Sequence, residues 1–136
     1  MRVEKALDAL VRQRAGFACE YCRMPQSLYE ARFPIDHIIA QQHGGPTAPE
    51  NLALSCYRCN TSKGPNISGI DPVTGRIVRL YHPRRDAWSE HFEWQGAILI
   101  GHTPRARATI AVLAINHPDY LAVRRSLMLE GLFPSK

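Results

Sequence analysis

Asp36 and His37 stand side by side, and Asn60 and Lys63 follow later in the chain. A neutral imidazole near its ordinary pKa can take a proton from water. The Asp36 carboxylate and the Asn60 amide oxygen suit a hard divalent cation such as Mg2+ or Mn2+. Lys63, one helical turn past Asn60, could meet a phosphate oxygen. Water activation and relief of charge at phosphorus and the leaving oxygen are what phosphodiester hydrolysis requires. Each residue also has an ordinary reading on its own. His37 would be a surface or core histidine, Asp36 a turn or cap residue, Asn51 a turn residue after Pro49-Glu50, and Asn60 a cap. Joint spacing decides between the two readings.

That spacing is set by four cysteines. Cys19-x-x-Cys22 and Cys56-x-x-Cys59 form two tight knuckles, and two knuckles can complete the tetrahedral four-sulfur shell of structural Zn2+. Such a shell has no open position, so its role would be structural. Two disulfides, or four thiols packed as small hydrophobes, are the alternatives. Thirty-three residues separate Cys22 from Cys56, longer than the simplest zinc pattern, so this insertion must fold back. It contains Asp36 and His37, and zinc would clamp its base and supply folding free energy. Asn60 adjoins Cys59, so metal binding would fix where its amide points.

The elements that must position these groups follow from pattern. Leu7, Leu10, Val11 and Arg14 fall at helical spacing before Gly16, which predicts a short amphipathic helix over residues 3–14. Arg32 to Ile39 reads as a strand, broken by Gln42-His43-Gly44-Gly45-Pro46; at its end, twist into the loop would let Asp36 and His37 approach one cleft. Asn51 to Ser55 reads as a second strand running into a helix that opens at the second cysteine pair. Further on, strands are expected over Arg76 to Tyr81 and Ala97 to Ile100. Thr103-Pro104 caps a helix reaching Asn116, and a last helix covers Tyr120 to Glu130.

The order Cys-x-x-Cys, Asp-His-Ile, Gly-Gly, Asn-Leu, Cys-x-x-Cys-Asn-x-x-Lys, running from Cys19 to Gly64, resembles the HNH endonucleases. The resemblance implies an α+β fold: a small zinc-stapled ββα-metal unit with an N-terminal helix and a C-terminal extension of strand plus helices. It implies His37 as general base, Asp36 and Asn60 as ligands of the catalytic cation, and Asn51 as the asparagine bracing the loop that holds His37. Asn60 stands where many members have histidine. DNA is the substrate the resemblance favours.

Seventeen Lys plus Arg against twelve Asp plus Glu give a net charge of +5, attractive to a polyanion. Length fits one domain over 1–136, with a core unit at about 17–66 and an extension at about 67–136. The opening stretch lacks the apolar run of an export signal and no segment approaches a membrane span, so a cytoplasmic protein with no membrane partner is expected. A homodimer would suit cutting two strands, but no residue points to one. In the extension, Arg79 to Phe92 mixes cations with aromatics. Packing is favoured for Trp88, Phe92 and Trp94, and Arg84 and Arg85 are candidate phosphate contacts. Among the remaining histidines, His43 is the leading spare candidate because its loop follows the first strand; Arg105, Arg107, Arg124 and Arg125 most simply solvate helix faces. The rival from another class is a zinc-dependent nucleic-acid-binding module that does no chemistry, and a weaker one is a thiol redox protein.

Overall fold

The structure, a computed structural model, describes residues 3–134. It divides into two compact units, Met1–Asn66 and Ile67–Lys136. Both mix helices with small antiparallel hairpins, so the fold class is α+β.

The first unit begins with helix α1 (Lys5–Arg14). It buries Val11 and anchors its C-terminal end through Arg14, whose guanidinium donates to the carbonyls of Pro49 (2.9 Å) and Leu52 (2.8 Å). The knuckle at Cys19–Cys22 follows, its tight reversal made by Arg23 in the left-handed region (φ 67°) with its N–H on the Cys19 carbonyl. Strands β1 (Ile35–His37) and β2 (Leu52–Leu54) pair antiparallel, with Asp36 opposite Ala53 and His37 opposite Leu52.

Strand β1 is shorter than the strand expected from the β-branched and aromatic residues between Arg32 and Ile39. Pro34 has no N–H for a ladder, and beyond Asp36 the carbonyls of His37 and Ile38 turn to a lysine instead of a strand. Glu20 runs beside β2: its N–H donates to the Leu54 carbonyl and its carboxylate accepts from the Leu54 N–H, both at 2.8 Å. Helix α2 (Tyr57–Lys63) then starts on Cys56, whose sulfur caps the Cys59 N–H.

The second unit contains hairpin β3 (Ser68–Ile70) with β4 (Ile77–Arg79), short helix α3 (Trp88–His91), hairpin β5 (Phe92–Gln95) with β6 (Ile98–Gly101), and helices α4 (Pro104–Val112) and α5 (Pro118–Leu129). Thr103 caps α4 through its hydroxyl on the Ala106 N–H, with Pro104 at the first position. The core gathers Leu80, Tyr81, Phe92, Leu99, Leu113 and Ile115. Trp88 and Phe92 stack with centroids 5.3 Å apart and Trp94 meets Phe133 edge-on, so these aromatics pack with one another. Among the described residues no helix is long and apolar enough to cross a membrane.

Candidate functional site

Two knuckles from opposite ends of the insertion bring Cys19, Cys22, Cys56 and Cys59 together, all buried, with their sulfurs within 4.8 Å of one another. No disulfide joins them. A tetrahedral ion with metal–sulfur bonds of ~2.3 Å would set sulfur–sulfur edges of about 3.8 Å. Cys22 Sγ and Cys56 Sγ stand 3.7 Å apart. In each pair the N–H of the second cysteine donates to the first sulfur, at 3.5 Å for Cys22 and 3.4 Å for Cys59, an arrangement that stabilises thiolate. Burial raises the Cys19 thiol, but hydrogen bonds from Cys22, Cys56 and Cys59 outweigh it and hold Cys19 well below its ordinary pKa. The Cys19 thiolate that this favours, and burial, push Cys22 and Cys59 up. Four buried sulfurs gathered this closely suit a soft cation, and the donor set is that of Zn2+.

Helix α2 carries this site into the next one. Cys59 and Lys63 are four residues apart, so one stripe of the helix carries a sulfur of the cluster and, a turn later, the ammonium that reaches the end of β1. Lys63 is 1% exposed. Its ammonium lies 3.1 Å from Asp36 Oδ2 and 3.3 Å from Oδ1, and it donates to the carbonyls of Ile38 (3.0 Å) and His37 (3.3 Å). The expectation that Lys63 meets a substrate phosphate is therefore corrected. Its donors are spent inside the protein, pinning the end of β1 to α2.

Asp36, 5% exposed, also accepts from the Tyr21 hydroxyl at 2.7 Å. Burial raises the Asp36 carboxyl, and Lys63 and Tyr21 pull against that rise. Tyr21 is itself pushed well up, first by burial and then by the Asp36 charge. Asn60 is half-buried, and its side-chain amide makes no hydrogen bond among the described residues.

At the strand end the side chain of His37 leaves Asp36 and turns toward the loop. Its Nε2 is 2.9 Å from Thr47 Oγ1. Burial lowers the His37 pKa, only partly opposed by Asp36, so the ring is neutral at neutral pH. The loop itself is clamped by Asn51, whose amide donates to the carbonyls of Ile39 (3.0 Å) and Pro46 (2.8 Å) while its oxygen accepts from the Ile39 N–H (2.9 Å). Gly45 passes so close that a Cβ there would collide with the Ile39 carbonyl and sit 2.8 Å from Asn51 Nδ2.

Arg84 and Arg85 belong to the second unit, on a turn after β4. His43 closes an exposed turn of 3-10 helix, Gln41–His43. Sequence reasoning missed Tyr21 and Thr47. Tyr21 had a signal: a tyrosine inside a cysteine knuckle is forced into the core, where its hydroxyl needs an acceptor. Thr47 had none, because its role depends on where the loop folds.

Residues 19–66 match the family model of the HNH endonuclease, and the chain thus carries an HNH endonuclease domain over that span. No curated protein and no solved structure matches the chain. The family domain supports a nuclease or nucleic-acid-binding role, and the cysteine cluster supports zinc binding.

Proposed function

We propose that the domain is a metal-dependent endonuclease that hydrolyses phosphodiesters of nucleic acid, DNA in the first instance, with His37 as general base. The observation that carries this reading is the pairing of His37 Nε2 with Thr47. With the ring proton on Nε2, Thr47 accepts it, and the lone pair of Nδ1 is left for a water molecule. Burial keeps that lone pair unprotonated, and a positioned base of this kind contributes about 10²- to 10⁴-fold to rate. Asn51 fixes the loop on which Thr47 stands, and through Thr47 the orientation of the imidazole.

Asp36 and Asn60 would hold a hard divalent cation, Mg2+ or Mn2+. Their oxygens fit such an ion in kind, and the Asn60 amide has no competing partner in the described chain. When bound, the cation supplies positive charge to the scissile phosphate and the departing oxygen. Asp36 is shared with Lys63, so its carboxylate is preoriented but already neutralised. That one observation favours the second reading, a zinc-dependent module that binds nucleic acid without cutting it.

A plasmid-nicking assay separates the two. Purified zinc-loaded protein is incubated with Mg2+ or Mn2+, beside His37→Ala and Asn60→Ala. Cation-dependent nicking that both substitutions abolish supports the nuclease; undiminished cutting by His37→Ala removes the assigned base. Retarded DNA mobility with no cutting under any cation leaves the binding module.

A further inference from the structure

The second unit carries a charge arrangement that packing does not explain. Strand β4 ends at Arg79, and residues 82–86 close a tight turn in which the N–H groups of Arg85 (3.0 Å) and Asp86 (2.8 Å) both donate to the His82 carbonyl. The Asp86 carboxylate is the hub. One oxygen accepts from Arg79 Nη2 (3.0 Å) and from Arg105 Nη1 (2.9 Å), at the start of α4. The other accepts from Arg79 Nη1 (3.2 Å) and the His82 N–H (2.8 Å). One carboxylate thus orients two guanidiniums, while Arg84 and Arg85 lie on the same turn.

Two guanidiniums share one carboxylate. Asp86 is saturated, so it positions its partners more than it neutralises them. The Arg79 and Arg105 side chains remain 40% and 31% exposed. A nearby pair shows what a balanced arrangement looks like. Arg107 grips Asp71 through two bonds, 2.8 and 2.9 Å, one cation to one anion on a fully buried carboxylate. The cluster around Asp86 has the opposite stoichiometry. Burial first, then Arg85 and Arg79, push the His82 pKa down against the pull of Asp86.

Prearranged, outnumbering guanidiniums suit the tetrahedral oxygens of phosphate, which accept from planar donor forks. We infer that Arg79 and Arg105, set around Asp86, form with Arg84 and Arg85 of the adjoining turn a phosphate-gripping site for the nucleic-acid backbone. The inference rests on the nucleic-acid reading above, not on cleavage, and extends it to Arg79 and Arg105.

The test uses full-length, zinc-loaded His37→Ala protein without added Mg2+ or Mn2+, so that binding is read apart from cutting. Affinity for a fluorescent duplex is followed from about 50 to 200 mM salt. Replacing Arg84 and Arg85 by Gln is expected to weaken binding and to flatten the plot of log affinity against log salt by about 1.8, two phosphates at ~0.9 each. Replacing Arg79, Asp86 and Arg105 together by Gln, Asn and Gln removes the ion cluster without stranding Asp86, and is expected to flatten the plot likewise. Melting curves check that both variants are folded. Folded variants that keep the parent's affinity and slope would overturn the inference, as would competition by inorganic phosphate with no duplex binding in the parent. A flattened slope in a protein that never nicks plasmid leaves this site standing and removes only the nuclease.

Discussion

The ammonium of Lys63 and the carboxylate of Asp36 form an ion pair, 3.1 Å long, with both side chains withdrawn from solvent. Since Lys63 also holds the carbonyls of His37 and Ile38, one side chain joins the strand bearing the proposed base to the helix bearing the cysteines.

Removing one member of a buried pair strands the other. Lys63→Met is expected to cost about 3–5 kcal/mol, read by urea unfolding of zinc-saturated protein. Adding Asp36→Asn should return part of that loss. A single variant as stable as the parent would mean that the pair is not buried in solution.

The same pair sets a condition on the proposed catalytic cation. A doubly charged ion about 4 Å from the ammonium is opposed by about 8 kcal/mol even at an effective dielectric of 20. Lys63→Gln is therefore expected to bind Mn2+ at least about tenfold more tightly by calorimetry. Equal affinity in the two proteins would argue that the ion does not sit on Asp36.

Protonation of a base ends its usefulness. Because burial lowers the His37 pKa below its ordinary 6.5, cleavage should fall only as pH drops beneath that value and stay level from about 7 upward. An acid limb centred above 6.5 in the kcat/KM profile would point to another group.

Chelation of zinc, or Cys56→Ala, is expected to unfold the β1–β2 hairpin and α2, because the sulfurs join both ends of the insertion. Amide exchange of Ile38 and Leu54 before and after chelation reads this out. Unchanged protection would show that the hairpin stands without metal.

Asn51→Ala deletes three hydrogen bonds around Ile39 and Pro46. Leaving those groups unmatched costs about 1–3 kcal/mol. Cleavage should decline beyond what stability predicts, because the loop carrying Thr47 loosens; full activity in the folded variant would separate the clamp from His37.

Much of the first unit could be read from residue order, because local signals and the cysteine spacing agree. Thr103-Pro104 announced α4 in the same way. The burial of Lys63 was not legible: an Asn-x-x-Lys at a helix end looks solvent-facing until the tertiary fold supplies Asp36 and two carbonyls to receive it. Hairpin strand β3, Ser68-Gly69-Ile70, has no alternation to betray it, although its partner β4 follows after one short loop. The union of Arg79, Asp86 and Arg105 was hidden because Arg105 arrives from nineteen positions past Asp86.

The helix that begins on Cys56 also carries Asn60 and Lys63, so whatever completes the sulfur shell also organises the end of β1 that Lys63 holds. On the zinc reading, a freshly made chain is inert until a trace element reaches it. If the domain is the proposed nuclease, its activity would then be armed by metal supply, and disarmed by its shortage, before any inhibitor was needed.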